Sequence, residues 1–231
     1  MKIFKDEFFK LYERFKSGSN FSFAKFGDGE WEAILGNKLD NNEFYVDSNT
    51  PTISRNFLYE SLIWDNPNYY IGLGCPCCIG QRAYNMRSLS KRNESHTTFA
   101  NVFVNANYDL YKQYFIPEYS KRDVWLVAHE NSKLNNLPFS IESFFPIKRN
   151  AWVNNISLIT EISNLNPVDK TILFCAGPLG NILSYQLYNL NPNNTYLDIG
   201  STLNPWLQSE GFKRDYYTQG QFKDRVCVWE V

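Results

Sequence analysis

The feature of this sequence that most restricts its fold is a continuous apolar run, TILFCA, at residues 171–176. Strands that are buried on both faces carry such runs, whereas strands with one solvated face alternate apolar and polar residues. The run leads into Gly-Pro-Leu-Gly, which opens a predicted helix, NILSYQLYNL. A doubly buried strand followed by a helix predicts a parallel sheet that is covered by helices on both faces.

The rest of the chain alternates strands and helices in the same way. The first sixteen residues have the apolar spacing of an amphipathic helix, and residues 21–26 alternate as a strand does. Further helices are predicted over residues 31–35, 51–64, 81–90, 108–115 and 152–162, and strands over 69–73, 101–105, 123–128, 195–200 and 226–231. We therefore expect an α/β fold with a Rossmann-like, mostly parallel sheet, whose ligands bind outside the carboxyl ends of the strands.

Composition narrows the class of protein. The 231 residues suit a single domain over residues 1–231, in which residues 69–119 are a candidate inserted or acceptor-facing segment. The net charge of the whole chain is −1, so the chain lacks the overall excess of positive charge that is typical of nucleic-acid-binding proteins. The odd count of five cysteines argues against a secreted disulfide framework.

No apolar run reaches the roughly 18 residues of a membrane span, and the charged N-terminus is unlike a signal peptide, so we expect a cytoplasmic protein.

The first candidate site is KFGDGE, residues 25–30, at the end of a predicted strand. Asp28 and Glu30 are separated by one residue, so their oxygens can be aimed at one hard cation such as Mg²⁺ or Mn²⁺. Gly27 and Gly29 let the backbone turn and leave room for a diphosphate to approach. The alternative interpretation is a turn with two solvated acids.

The second candidate site is FCAGPLG, residues 174–180. Backbone N–H groups at the start of the following helix suit a phosphate, and Gly177 allows close approach. With only Gly177 and Gly180 present, the segment is not a full dinucleotide-binding fingerprint. An ordinary turn between a strand and a helix is the alternative.

Two further strand ends carry titratable side chains. His129 and Glu130 follow the predicted strand at residues 123–128, in the position of a general base or of a contact to a sugar hydroxyl. Asp198 ends another strand, where an acid often holds a ribose or sugar hydroxyl. A structural histidine and a helix-capping aspartate are the competing interpretations.

The cysteines are crowded. Three of them lie within residues 75–78 and, together with His96, form a candidate zinc set. However, the spacing is not that of a Cys-x2-Cys knuckle, and no second cysteine pair follows. Cys175 falls in a predicted core strand and Cys227 in the predicted last strand, so packed or redox-silent thiols are the favoured interpretation.

Five segments, in order along the chain, resemble the GT-D type glycosyltransferases. KFGDGEWEAILG is similar to the (R/K)FGDGE signature of that family, in which the acid-x-acid motif binds the divalent metal of a nucleotide-sugar donor. The other four segments that resemble the family are VWLVAHENSKLNNLPF, PIKRNAW, FCAGPLGNILSYQL and YLDIG. Lys25 stands where Arg is commoner and His129 where Gly is commoner, and residues 69–119 do not match the better-studied members.

The resemblance implies a metal-dependent glycosyltransferase. Asp28 and Glu30 would hold Mn²⁺ or Mg²⁺ on the diphosphate of a nucleoside diphosphate sugar, with a UDP-sugar favoured. Glu130, or secondly Asp198, would deprotonate the acceptor hydroxyl of a glycan or glycoconjugate if the reaction inverts. The donor-binding residues implied are Lys25, Phe26, Gly27, Asp28, Gly29, Asn150, Gly177 and Pro178.

Two other classes of protein remain open at this point. A methyltransferase would use residues 174–180 as the nucleoside loop for S-adenosylmethionine and Asp198 for the ribose, although that loop normally follows the first strand of its domain. A non-catalytic sugar-binding module of the same fold is the other class. The nearly neutral net charge disfavours a nucleic-acid acceptor. A local basic patch would favour one, although the same residues can equally form a solvated helix face. The patch consists of Arg82, Arg87, Lys91 and Arg92.

Overall fold

The structure, a computed structural model, describes residues 1–41, 43–208 and 223–229. The strands are β1 (Lys2–Ile3), β2 (Ser22–Phe26), β3 (Leu39–Asp40), β4 (Tyr45–Val46), β5 (Tyr69–Leu73), β6 (Thr97–Phe99), β7 (Val124–His129), β8 (Ser143–Ile147), β9 (Thr171–Phe174), β10 (Thr195–Asp198) and β11 (Val228–Trp229). The helices are α1 (Phe4–Lys16), α2 (Asp28–Leu35), α3 (Thr52–Ile63), α4 (Pro76–Ile79), α5 (Gln81–Ser90), α6 (Tyr108–Tyr119), α7 (Ala151–Asn154), α8 (Leu158–Asn164), α9 (Pro178–Leu190) and α10 (Asn204–Leu207).

Seven strands form one central sheet in the order β6-β5-β2-β10-β9-β7-β8. Each neighbouring pair in this sheet is parallel, which confirms the predicted sheet type. The remaining strands form two small antiparallel pairs, β1 with β11 and β3 with β4. All carboxyl ends of the seven strands therefore lie along one edge.

Strand β2 shows that both faces of the sheet are covered. The Ser22 hydroxyl donates a 2.7 Å hydrogen bond to the carbonyl of Ser184 in α9. The next side chain, Phe23, points to the opposite face, because successive side chains alternate along a strand, and its ring lies 5.3 Å from that of Phe103. Helix α9 lies on β2 and β10 and contacts α3 and α8, so helices pack on the sheet as predicted.

Aromatic residues make up 17% of the chain, and four of them form one core layer. The ring of Phe15 in α1 stacks on that of Phe115 in α6 at 5.3 Å. Phe115 meets Phe103 edge-on at 4.9 Å, and Phe15 also contacts Tyr119. These four side chains are almost completely buried. Edge-to-face and offset stacked pairs are the geometries that aromatic side chains prefer, so this layer stabilises the contact between the two helices.

The segment at residues 101–105 is not the strand that its apolar pattern predicts. It forms turns that lead into a short 3₁₀ helix at Asn105–Asn107, and β6 precedes it in the chain. Asn105 has a left-handed φ of 54°, which a strand does not contain. The Asn107 amide donates to the carbonyls of Phe4 and Val102, and so ties the turn to α1.

Other departures from prediction concern where elements begin and end. The predicted helix at 152–162 is divided into α7 and α8, and β8 was not predicted. Helix α3 begins at Thr52, one residue after the predicted start, and Pro51 is its N-cap residue. The last predicted strand is shortened to β11, which lies outside the central sheet, and residues 230–231 are outside the described part.

The segment at residues 69–119 supplies β5 and β6 at one end of the central sheet. It also supplies α6, which packs against α1.

Among residues 1–41, 43–208 and 223–229, no helix combines the length and the apolar character that crossing a bilayer requires.

Candidate functional site

A cleft opens at the carboxyl edge of the central sheet, where the direction of the chain's crossovers changes. The connection after β7 leads outward to β8, whereas the connection after the adjacent β9 leads the other way to β10. Ligands of open α/β sheets bind at such switch points. The cleft is lined by Lys25, Glu43, Phe44, Ala128, His129, Ser132, Ile147, Lys148, Arg149, Ala151, Trp152, Cys175, Ala176, Gly177, Pro178, Gly200, Ser201, Asn204 and Leu207.

The N-terminus of α9 forms one wall of this cleft. Gly177 precedes the helix with φ 53° and ψ −141°, a conformation that is essentially restricted to glycine. Pro178 occupies the first helical position, where its missing N–H costs nothing. A Cβ added to Gly177 would meet Phe44 at 3.5 Å and Glu43 at 3.7 Å, so the bare backbone faces the cleft. Pro178 has no N–H and the Gly180 N–H donates to the Gly177 carbonyl at 2.8 Å, so it is mainly the dipole of this 13-residue helix that favours an anion there.

Cationic side chains line the same cleft. Lys25 lies near the end of β2, while Lys148 and Arg149 come directly after β8. The Arg149 guanidinium pairs with Asp40 and donates a 2.8 Å hydrogen bond to the carbonyl of Asn41. Together with the N-terminus of α9, these cations make the cleft suitable for a polyanionic ligand such as a diphosphate.

Asn150, a predicted donor-binding residue, is buried beneath the cleft and holds neighbouring segments together. It is 2% exposed, and its side-chain oxygen accepts hydrogen bonds from the Tyr45 N–H at 3.1 Å and the Trp152 indole N–H at 2.8 Å. Its own backbone N–H donates to the carbonyl of Glu43 at 3.0 Å. Asn150 thus holds the turn between β3 and β4 in place, and with it Glu43, which among the described lining residues is the carboxylate of the cleft.

Asp28 and Glu30 both lie in the first turn of α2 but in different environments. Asp28 is exposed, and its Oδ1 accepts the Gly29 N–H at 3.0 Å. Glu30 is 7% exposed, and its Oε2 accepts the Gly27 N–H at 2.8 Å, which caps the helix. Burial raises the pKa of Glu30, and the nearby Lys25 ammonium opposes that shift. Neither carboxylate is among the residues that line the cleft.

The donor set at Asp28 and Glu30 fits a hard divalent cation only when other ligands come from outside the protein. In the part of the chain that the structure describes, no third His, Cys, Asp or Glu completes a metal-binding group with these two. Mg²⁺ characteristically uses one or two carboxylates and takes its remaining oxygens from water and substrate phosphates. The two carboxylates are compatible with this kind of site.

Asp198, the second predicted base, is 1% exposed and does not line the cleft. Its Oδ2 accepts the Lys25 N–H at 3.2 Å and its Oδ1 the Gly200 N–H at 3.1 Å. A Cβ added to Gly180 would lie 3.1 Å from the carboxyl carbon, so the first turn of α9 packs directly on Asp198. Burial raises the pKa of Asp198 to about 7; the Lys25 ammonium lowers it, and the Glu30 carboxylate raises it further.

The raised pKa of Asp198 predicts that the protein loses stability as the pH rises. Below the ordinary aspartate pKa of 3.8 the group is protonated in both folded and unfolded chains, whereas between pH 3.8 and about pH 7 the folded chain holds the extra proton. Unfolding in urea, measured from pH 4 to pH 8, should therefore show stability falling by up to about 4 kcal/mol, since each pKa unit corresponds to 1.36 kcal/mol. In Asp198→Asn this contribution should vanish; an unchanged pH profile in that variant would refute the assignment.

Glu130, the first predicted base, is exposed and lies outside the cleft lining, with its N–H donating to the Ile147 carbonyl at 2.9 Å. Its neighbour His129 does line the cleft. Of the predicted donor-binding residues, the structure brings Lys25, Gly177 and Pro178 to the cleft lining. The predicted donor-binding residues that it leaves outside that lining are Phe26, Gly27, Asp28, Gly29 and Asn150.

Sequence reasoning missed Glu43, Lys148 and Arg149. The two cations follow β8, and recognising SFFPI as a strand would have placed them at the carboxyl edge. Glu43 lies in the β3–β4 turn, whose position over α9 depends on the buried Asn150. No local pattern indicates that contact.

The local basic patch is largely neutralised by partners. Arg82 pairs with Glu32 at 3.2 Å, and Arg87 pairs with Glu94. Arg92 is 9% exposed, and its guanidinium donates to two backbone carbonyls. Arg82, Arg87 and Arg92 therefore have partners within the protein, and their positions provide no support for a nucleic-acid acceptor.

Comparison with solved structures places the fold among the glycosyltransferases. The chain is similar to a structure described as "The highly conserved domain of unknown function 1792 has a distinct glycosyltransferase fold", with TM-score 0.63 and 14% identity over 92% of this chain and 88% of the other. A selenomethionine-substituted structure of domain of unknown function 1792 matches with TM-score 0.61 and 14% identity, over 97% and 90% of the two chains. No family model and no curated protein sequence matches. At this identity, the likeness establishes the fold alone.

Proposed function

We propose that this protein is a metal-dependent glycosyltransferase, which moves a sugar from a nucleoside diphosphate sugar, with UDP-sugars favoured, to a hydroxyl of a glycan or glycoconjugate. The observation that carries the proposal is the cleft at the β7–β9 switch point. There the N-terminus of α9 meets Lys25, Lys148 and Arg149. A glycosyltransferase fold with an anion-binding cleft at its ligand edge supports a donor whose leaving group is a diphosphate.

In this proposal the diphosphate lies against the bare backbone of Gly177 at the N-terminus of α9. Backbone N–H groups there donate to phosphate oxygens, and the helix dipole adds to the attraction. Arg149 can bind phosphate oxygens in a bidentate manner, whereas Lys25 and Lys148 act as point charges. The three cations then offset the charge that develops on the departing nucleoside diphosphate.

Asp28 and Glu30 would hold the divalent cation, Mn²⁺ or Mg²⁺, which supplies Lewis-acid stabilisation of the leaving diphosphate when bound. The backbone around these carboxylates is fixed by the Gly27 N–H bond to Glu30.

An inverting transfer needs a base for the acceptor hydroxyl. Glu43 is our candidate, because it is the carboxylate that lines the described part of the cleft. Glu130 and Asp198 remain predictions for this role, the first exposed and the second buried. Substituting each of the three by its amide and measuring transfer separates them.

The methyltransferase alternative gains no support from the site. Its ribose contact was predicted at Asp198, whose two oxygens are occupied by backbone N–H groups inside the protein. A thermal-shift comparison of S-adenosylmethionine with UDP plus Mn²⁺ discriminates the two classes.

The proposed activity is tested by hydrolysis of the donor, which needs no acceptor. We expect the chain to release nucleoside diphosphate from UDP-, GDP- or dTDP-sugars when Mn²⁺ or Mg²⁺ is added, and to stop when the metal is chelated. Binding of the nucleotide without any hydrolysis or transfer would favour the sugar-binding module. Absence of both binding and turnover across the panel would contradict the proposal.

Gly177→Ala should weaken nucleotide binding by at least about tenfold. An alanine is strained at φ 53°, which costs of order 1–3 kcal/mol, and its methyl group occupies the cleft beside Phe44 and Glu43, where the diphosphate is proposed to lie. Calorimetric titration of UDP in the presence of Mn²⁺ measures the change. Gly80→Ala is the matched control, because Gly80 has nearly the same backbone angles, φ 59° and ψ −137°, outside the cleft lining. Equal loss of affinity in both variants would attribute the effect to strain and contradict the role of Gly177.

A further inference from the structure

Four of the five cysteines of the chain meet beside the carboxyl end of β5. Cys75, Cys77 and Cys78 lie in and next to the short helix α4, and Cys227 directly precedes β11. Their four Sγ atoms all lie within 4.8 Å of one another. The group thus joins residues that are 149 positions apart in the sequence.

The fourth member of this group is Cys227 and not His96, which the sequence offered as a ligand. The His96 ring lies edge-on to Tyr70 at 5.5 Å. Burial lowers its pKa, with Arg92 as a further cause. The His96 side chain is thus packed against an aromatic ring and close to a cation, and it is not part of the cysteine cluster.

Two of three distances between the sulfurs match those around a single tetrahedral ion. Sulfurs at about 2.3 Å from one Zn²⁺ stand roughly 3.8 Å from one another at the corners of a tetrahedron. The distance is 4.0 Å between Cys77 and Cys78, and 3.9 Å between Cys78 and Cys227. Cys75 and Cys77 are closer, at 2.9 Å. All three exceed the roughly 2.05 Å of a disulfide bond.

Amide groups around the cluster donate to its sulfurs. The Asn101 side chain donates to Cys78 at 3.5 Å and the Asn105 side chain to Cys227 at 3.6 Å. The backbone N–H of Val228 donates to Cys77 at 3.5 Å. Hydrogen bonds of this kind favour the thiolate form that a metal requires, and they act as the outer shell that orients metal ligands.

We propose that Cys75, Cys77, Cys78 and Cys227 bind one structural Zn²⁺ ion. Four thiolates within 4.8 Å of one another are a closed donor set, which is the arrangement of structural rather than catalytic zinc. Binding displaces protons from the thiols, because the thiolate is the ligand. This site is separate from the one proposed at Asp28 and Glu30, whose oxygen donors suit harder cations.

The zinc would fasten the C-terminal end of the described chain to the sheet. Cys227 leads into β11, which pairs with β1 outside the central sheet. The three other ligands follow β5, and Gly74 between them and the strand donates to the Phe26 carbonyl at 2.9 Å. One ion therefore connects β11 to the edge that carries the β2–α2 turn. Without it, we expect this attachment to loosen.

The test is the metal content of the full chain, purified without chelator and analysed by mass spectrometry for metals. About one zinc per chain is expected. Cys77→Ser and Cys227→Ser should each lose most of it, and Cys175→Ser, the one cysteine outside the cluster, should retain it. Co²⁺ exchanged into the wild-type protein should show the absorption of tetrahedral thiolate coordination, and zinc removal should lower the melting temperature.

Three results would overturn the proposal. The first is a folded, zinc-supplemented chain that contains no zinc and whose four thiols all react with a thiol reagent. The second is an intact mass that shows disulfide bonds within the cluster. The third is zinc that persists in both Cys77→Ser and Cys227→Ser. Because Cys77 is exposed, its substitution leaves the core unchanged and keeps the test valid if Cys227→Ser fails to fold.

Discussion

Glu30→Gln is expected to reduce metal-dependent donor hydrolysis by at least about 100-fold while the protein stays folded. A Lewis-acid contribution of several kcal/mol corresponds to such a loss, since each 1.36 kcal/mol is tenfold in rate. The amide oxygen of glutamine can still accept the Gly27 N–H, so the cap of α2 is preserved. Removing a buried charge whose pKa is raised by burial should leave the free energy of unfolding equal or higher. Hydrolysis at varied Mn²⁺ concentration and urea unfolding measure the two effects.

Glu32→Gln is the matched control for this experiment. Glu32 lies in the same helix and pairs with Arg82 at 3.2 Å on the surface side. Its substitution removes an equal charge without touching the proposed metal ligands, and hydrolysis should stay within about twofold, as for most surface substitutions. Asp28→Asn should resemble Glu30→Gln. Full metal-dependent activity in both Asp28→Asn and Glu30→Gln would exclude these residues as the metal site.

Lys25→Met is expected to destabilise the protein by about 3 kcal/mol at pH 8, because the buried carboxyls of Asp198 and Glu30 lose the nearby ammonium that compensates their charge. The Lys25 ammonium lowers the pKa of both Asp198 and Glu30. Its side chain lies close over Gly200, where an added Cβ would be 2.6 Å from Nζ. Without the ammonium, ionising both carboxyls becomes more costly, so the destabilisation should grow with pH and be smallest near pH 5. Urea unfolding at pH 5 and pH 8 measures this difference.

Lys148→Met provides the comparison for Lys25→Met. Lys148 lines the cleft but is exposed, so its loss should change the free energy of unfolding by less than about 0.5 kcal/mol. Both variants should weaken nucleotide binding. Adding Asp198→Asn to Lys25→Met should recover part of the stability at pH 8. Equal stability of the two single variants at pH 8 would contradict the electrostatic role of Lys25.

The central strands were predictable because their chemistry is local. The apolar run at β9 predicts a strand that is covered on both faces, and the alternation at residues 21–26 predicts the strand β2; both strands are present in the central sheet. The strand β8 and the turn at residues 101–105 were not predicted from the sequence. Strand β8 includes Pro146 at the edge of the sheet, where a missing N–H is tolerated, and Asn105 has a positive φ that depends on tertiary contacts.

The candidate site was predictable at strand ends and not beyond them. Lys25 and Gly177 were identified because both stand where a strand ends, and strand ends converge in a parallel sheet. Glu43 reaches the cleft from a turn between two short strands, held by Asn150 over a separation that no local pattern encodes. The cysteine cluster likewise needs Cys227, which lies far from the other three in sequence.

The most direct test of the proposed donor site is a crystal structure of the full chain with Mn²⁺ and the nucleoside diphosphate that gives the largest thermal shift. We expect the diphosphate at the N-terminus of α9, beside Gly177 and within reach of Lys25 and Arg149, with Mn²⁺ held by Asp28 and Glu30. A nucleotide bound away from this cleft, or a failure of every nucleoside diphosphate to stabilise the chain in the presence of Mn²⁺, would contradict the account.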